Sequence, residues 1–180
     1  ADSPSATSRT SIVLPAGVRL GAVEIALAAS AGRAELEVAR LPRIAIVSTG
    51  DELIDPGHPI AAHQVRRSNP YALAAALARR GYTDVVLRHA RDDRRTIETL
   101  LAAELASRDV ILLSGGVSAG QFDFVPQSLE ALGVRKVFHK VAQRPGKPLW
   151  FGVGPAGQLV FGLPGNPVSV RVCVARYVAD

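Results

Sequence analysis

Ile44-Ala45-Ile46-Val47-Ser48-Thr49-Gly50-Asp51-Glu52-Leu53 is the stretch that decides the fold. Four apolar residues without a polar interruption, three of them good strand formers, predict a short strand buried on both faces. A strand covered on both faces belongs to a parallel sheet between helical layers. The polar residues that follow at once, with a glycine among them, predict a loop at the strand's carboxyl end. In open α/β sheets that end is where ligands bind.

Two further runs of the same kind follow, Val85-Val86-Leu87 and Val110-Ile111-Leu112-Leu113. Helical segments separate them. Asn69 is a suitable N-cap with Pro70 at the first helical position and Gly81 as the stop. Asp92 or Asp93 caps a second helix that runs to about Ser107, and a third begins near Asp123 or Phe124 and ends before Gly133. Strand–helix–strand alternation at this spacing implies right-handed crossovers. The expectation is an α/β fold, a three-layer α/β/α sandwich with a mostly parallel sheet. Residues 137–141, 149–153 and 159–163 read as strands joined by Gly/Pro turns, with a last helix from about Val168.

Toward the other end the pattern fades. Residues 1–11, rich in Ser, Thr and Ala, read as a disordered tail. Residues 12–42 read as a small appendage, with a short strand and turn at Val13-Leu14-Pro15-Ala16-Gly17 and a helix from Val23 to Ser30 stopped by Gly32. This segment is too small to hold a core alone. The domain proper is expected over residues 43–180.

Composition narrows the function classes. The chain has 180 residues, 48% of them hydrophobic, and a formal net charge of +5. No apolar run approaches the roughly 20 residues that span a bilayer, so no membrane partner is expected. A single cysteine, Cys173, allows no disulfide within the chain and fits a cytoplasmic location. Nearly all of the positive charge is arginine, since lysine occurs only at 136, 140 and 147. Arginine suits phosphates and oxyanions. No Lys/Arg run with interleaved aromatics points to nucleic acid.

Four loops carry the chemistry. Thr49, Gly50, Asp51 and Glu52 follow the first strand; Asp51 is either a ligand contact or a turn residue. Ser114-Gly115-Gly116-Val117-Ser118-Ala119-Gly120-Gln121-Phe122-Asp123 follows the third strand and leads into a helix. Its backbone N–H groups suit an anion, with Ser114, Gly115, Gly116 and Ser118 as contacts. Asp123 is either an N-cap or the holder of a divalent cation on a phosphate. Lys140-Val141-Ala142-Gln143-Arg144-Pro145-Gly146-Lys147-Pro148 presents Arg144 and Lys147 across a tight turn at Gly146, either for an anion or as a solvated tip. Gly162-Leu163-Pro164-Gly165-Asn166-Pro167-Val168-Ser169 is a rigid strand–turn–helix elbow that exposes N–H groups at a helix start.

In this order, STGDEL, SGGVSAGQFDFV, KVAQRPGKPL and VFGLPGNPVS, the four strings resemble the molybdopterin molybdenumtransferase family, whose eukaryotic relatives include the C-terminal part of gephyrin. The resemblance implies a molybdopterin-binding domain preceded by a remnant of the family's earlier domain, hence a catalytic-domain fragment. It implies molybdenum cofactor biosynthesis: molybdenum from molybdate enters adenylylated molybdopterin, and AMP is released. Magnesium (Mg2+) is the implied cofactor and a homodimer the implied assembly. Catalytic roles fall on Asp123, which would support the metal, on Glu52, and on Lys147. Thr49, Gly50, Asp51, Asn69, Ser114, Gly115, Gly116, Ser118, Arg144, Gly146, Pro164, Gly165, Asn166 and Ser169 would line the pterin site. Arg67, Gln121 and Arg144 depart from the family pattern, which has Asp, an acidic residue and Lys there. Two other readings stand beside this one: a molybdopterin adenylyltransferase on the same domain, and a molybdopterin-binding module without turnover.

Overall fold

A computed structural model describes residues 13–116 and 124–178. The expected tail over residues 1–11 lies outside them, as do Ser118, Gln121 and Asp123. The chain forms two compact units, Ala1–Arg40 and Leu41–Asp180.

In the first unit, helix α1 spans Ala22–Ser30. The Glu24 carboxylate accepts the Gly21 backbone N–H at 2.9 Å and so satisfies one of the donors that a helix start leaves free. Gly32 ends the helix at a φ of +77°, a conformation that glycine adopts without a Cβ penalty. The strand expected at Val13-Leu14 does not form: those residues lie in a bend ahead of a turn closed from the Val18 N–H to the Pro15 carbonyl.

The second unit is built on a six-stranded sheet. In chain order its elements are β1 (Ile44–Thr49), β2 (Leu53–Ile54), β3 (Val65–Arg66), α2 (Asn69–Ala78), β4 (Val85–Ala90), α3 (Arg94–Ser107), β5 (Val110–Ser114), α4 (Phe124–Ala131), β6 (Arg135–His139), β7 (Trp150–Val153), β8 (Leu159–Leu163) and α5 (Pro167–Tyr177). The strand order is β4-β1-β5-β8-β7-β6, and β2 pairs β3 in a small separate ladder. The β4–β1, β1–β5 and β5–β8 ladders are parallel, whereas β7 runs antiparallel to both β8 and β6. The sheet is therefore mixed but mostly parallel.

Alternation along the central strands sorts their side chains into two cores. Ala45, Val47, Ile111 and Leu113 pack with Ile97 and Leu101 of α3 and Val125 and Leu129 of α4. Ile44, Ile46, Val110 and Leu112 pack with Leu73 and Leu77 of α2 and Val170, Cys173 and Val174 of α5. This is the expected three-layer sandwich, α2 and α5 on one face and α3 and α4 on the other. β1 and β5 are buried throughout. β4, expected to be equally buried, is half-exposed because it forms the sheet's edge. The two-residue strands β2 and β3 were not expected; so short a ladder leaves no periodic trace in the sequence.

Candidate functional site

β1, β5 and β8 are mutually parallel, so Thr49, Ser114 and Leu163 end at one edge of the sheet. A cleft of about 340 Å³ opens there. Its wall draws on four separate segments: Ser48, Thr49 and Glu52 at and beyond the end of β1; Arg66, Arg67, Ser68 and Asn69 from the end of β3 to the start of α2; Ser114 and Gly115 at the end of β5; and Gly165 and Pro167 between β8 and the start of α5.

Asn69 ties three of these segments together. Its Nδ2 donates to Ser114 Oγ at 3.0 Å and to the Gly165 carbonyl at 2.8 Å. The sequence suggested an N-cap, but Ser68 occupies that position and Asn69 is the first residue of α2. Its amide is thereby free to bridge loops.

Thr49 and the glycines form the second joint. A Cβ on Gly115 would lie 2.9 Å from the Thr49 carbonyl oxygen, and one on Gly116 would lie 2.7 Å from both Thr49 Oγ1 and Val125 Cγ2. Gly115 and Gly116 also have φ of +102° and +65°. Only glycine combines that backbone with that closeness. Two hydroxyls at the end of β1, Ser48 Oγ and Thr49 Oγ1, alternate to opposite faces of the sheet and are buried with no hydrogen-bond partner among the described residues. A buried hydroxyl without a partner costs about 1–3 kcal/mol.

The opposite wall holds a buried cation. The Arg67 side chain is only 9% exposed. Its Nε donates to Asp55 Oδ1 at 2.8 Å, its Nη1 donates to the Arg88 carbonyl at 3.3 Å, and its guanidinium lies 6.0 Å from the centre of the Tyr71 ring. The Tyr71 hydroxyl donates to the same Asp55 oxygen at 3.1 Å. Desolvation acts to raise the Asp55 pKa, but the hydrogen bonds from Arg67 and Tyr71 and the charge of Arg67 outweigh it and hold the carboxyl below its ordinary value. Arg66 donates to the backbone carbonyls of Asp55 and His58, which fastens the loop between β2 and β3.

The expected site residues divide into three groups. Thr49, Glu52, Asn69, Ser114, Gly115 and Gly165 line the cleft together. Asp51 does not: its carboxylate pairs with Arg91 at 3.2 Å and accepts the Asp92 N–H, which is its turn role. Gly50, with its carbonyl 2.9 Å from His89 Nε2, shapes the same turn. The elbow after β8 is also corrected. Asn166 Oδ1 accepts the N–H groups of Val168 and Ser169, and the Asn166 carbonyl accepts that of Val170. Pro167 has no N–H, so no N–H within the first turn of α5 is left for an anion. Pro164 is buried, and the Ser169 hydroxyl lies 3.4 Å from Asn166 Oδ1.

The turn between β6 and β7 forms the third group. β6 runs parallel to β8, so this turn leaves from the same end of the sheet as the cleft. Gly146 packs on Cys173 Sγ of α5, where a Cβ would lie 2.8 Å away, and the Tyr177 hydroxyl donates to Gln143 Oε1 at 2.8 Å. The turn is fixed to α5, and Arg144 and Lys147 are exposed on it, outside the cleft wall. Sequence reasoning passed over Arg66 and Ser68, which also line the cleft.

A family described as the probable molybdopterin binding domain matches residues 45–180. The chain belongs to that family. Molybdopterin molybdenumtransferase of Synechocystis sp. is 39% identical over 170 residues, which are 94% of this chain and 44% of that protein. The enzyme of the same name from Synechococcus elongatus is 41% identical over 165 residues, covering 89% of this chain and 40% of its own length. The molybdopterin biosynthesis MoeA protein from Pyrococcus horikosii superimposes with a TM-score of 0.70 at 33% identity, over 88% of this chain and 39% of that one. This molybdopterin-binding domain chain thus spans less than half the length of these relatives. None of its described helices is long and apolar enough to cross a membrane.

Proposed function

We propose that this chain is the molybdopterin-binding part of a molybdopterin molybdenumtransferase, and that the cleft at the carboxyl ends of β1, β5 and β8 holds adenylylated molybdopterin. One observation carries the reading. Four distant segments converge on the cleft, Ser48 and Thr49 among its lining residues, and the hydroxyls of these two are buried without partners among the described residues. A pterin or phosphate oxygen supplies the acceptor that each one needs.

In this proposal Asn69 positions the Ser114 and Gly165 loops. Arg144 and Lys147, on the neighbouring turn, attract molybdate and the ligand's phosphates. The chemistry is hydrolysis of the phosphoanhydride, in which water adds to phosphorus as AMP leaves, and exchange of one molybdate oxygen, lost as water with the two thiol protons, for the two dithiolene sulfurs. Magnesium would neutralise charge on the departing AMP. Among the described residues no three His, Cys, Asp or Glu side chains cluster, and Glu52 is the one carboxylate lining the cleft. That donor set fits magnesium, which takes one or two carboxylates and fills its remaining positions with phosphate oxygens and water. Glu52 would be one carboxylate and Asp123, which precedes α4, the other. A homodimer and a cytoplasmic location belong to the same proposal.

The test follows AMP release from adenylylated molybdopterin with molybdate and magnesium. Asp123→Asn keeps the shape of the side chain and removes its charge. It is expected to slow release on the order of a hundredfold while leaving binding in place. Release at the unmutated rate would show that Asp123 is only a helix cap. Arg67 favours a second reading, since it sets a cation in the cleft wall where the resembling family carries Asp. Tight binding by the unmutated chain without any AMP release would establish that reading, a binding module without turnover.

A further inference from the structure

We infer that the outer face of the α2–α5 layer is a docking groove for an acidic amphipathic helix of a partner protein. The groove has a volume of about 600 Å³ and shares no lining residue with the cleft. Its floor is made of small and aliphatic side chains, among them Ala72 and Ala76 on α2 and Val172 on α5. Its rim is made of arginine: Arg79 and Arg80 just past the end of α2, and Arg171 on α5.

The shape selects a helix. α2 and α5 start side by side, since Asn69 at the head of one is bonded to Gly165 just ahead of the other. Ala72 and Ala76 are one turn apart on a single face of α2. Small residues on that row permit the close interaxial approach, about 8–10 Å, at which helices interlock. The 10 residues of α2 offer a bed about 15 Å long, room for roughly three turns. Val168, at the head of the groove, is 63% exposed, so its apolar side chain has no cover.

The charge selects an acidic partner. Neither α2 nor α5 contains an Asp or Glu. Arg79, Arg80 and Arg171 make no ion pair with any described residue. The opposite layer differs: there Arg94 pairs with Glu98 along α3 at 2.7 Å. A second copy presenting the same face would set arginine against arginine, so an isologous dimer through this groove is disfavoured. An apolar stripe flanked by glutamates matches both floor and rim, as in helix-in-groove recognition.

The experiment is fluorescence anisotropy of the whole chain with a labelled synthetic peptide. The peptide is an amphipathic helix with leucine on one face and glutamate on its flanks; its counterpart carries lysine for glutamate. Trp150 fluorescence checks that every variant is folded. The glutamate peptide is expected to bind more weakly as salt rises, and the lysine peptide not to bind. Arg79→Ala with Arg171→Ala should weaken binding on the order of tenfold, the scale of losing two exposed ion pairs, and Ala76→Phe should fill the groove and abolish it. Arg95→Ala, an exposed arginine on the opposite layer, should leave binding unchanged. The inference is overturned if the glutamate peptide does not bind, if the lysine peptide binds as well, or if Arg95→Ala weakens binding as much as the rim variants. It is also overturned if the chain self-associates and Arg171→Glu abolishes that association, for then a second copy covers the face.

Discussion

Removing the Asn69 amide breaks a bridge whose two ends differ in cost. The Gly165 end is exposed, so water replaces the lost donor to its carbonyl at little cost. The Ser114 end is not: Ser114 is 4% exposed, and its hydroxyl loses the only partner it has among the described residues. A hydrogen bond of this kind contributes about 0.5–1.5 kcal/mol net, and a buried polar group left alone costs about 1–3 kcal/mol. Asn69→Ala should therefore destabilise the second unit by about 1–2 kcal/mol. For a domain of this size that lowers Tm by about 5 °C. The assay is thermal and urea unfolding followed at Trp150, the only tryptophan, which is buried in one core of that unit and reports on it alone. Ser114→Ala supplies the control. Once that hydroxyl is gone, Asn69→Ala should cost clearly less, because the two side chains form one interaction. Full additivity of the two substitutions, or an unchanged Tm for Asn69→Ala, would refute the bridge as the element that fixes the cleft.

Other consequences follow from single contacts. Gly116→Ala should destabilise by about 1–3 kcal/mol, because a Cβ there meets Thr49 Oγ1 and Val125 Cγ2 at 2.7 Å and the backbone has φ of +65°; wild-type unfolding behaviour would contradict the packing described. Asp55 has a folded-state pKa held below its ordinary 3.8, so its contribution to stability is present at neutral pH and disappears as pH falls through the folded value. Asp55→Asn should accordingly be less stable than wild type near neutrality and converge with it in acid, and a gap that widened on acidification would be the opposite sign. Cys173 is fully buried and its thiol pKa is raised by desolvation, so thiol reagents should label it at neutral pH only as the chain unfolds; immediate labelling of the folded protein would refute that burial.

The fold was legible where burial is continuous. The apolar runs of β1 and β5 lie in the middle of the sheet, and their uninterrupted hydrophobicity reports cover on both faces. The same inference failed in degree for β4, because an edge strand can be just as apolar over three residues. At the site, position along a strand was readable but side-chain direction was not. Thr49, Glu52, Ser114 and Gly115 meet because parallel strands end together, a consequence of topology that alternating strands and helices announce. Asp51, adjacent to Glu52, turns away to Arg91, and nothing local distinguishes the two carboxylates. Asn69 was misread as a cap because its partners lie 45 and 96 residues away in the chain. The reverse happened at Asn166, whose capping of α5 occupies N–H groups that the elbow had seemed to offer a ligand.

The central claim is that the cleft between the β1, β5 and β8 loops takes an anionic pterin through hydroxyls that have no partner among the described residues. Isothermal titration of the chain with adenylylated molybdopterin, beside its Thr49→Val variant, tests this most directly. Valine keeps the shape of the side chain and puts a methyl group in place of the hydroxyl. The account predicts saturable one-to-one binding that weakens with salt, and an affinity about tenfold lower for Thr49→Val, the scale of one hydrogen bond to a charged ligand. No heat of binding to the folded chain, or equal affinity for the two proteins, would contradict it.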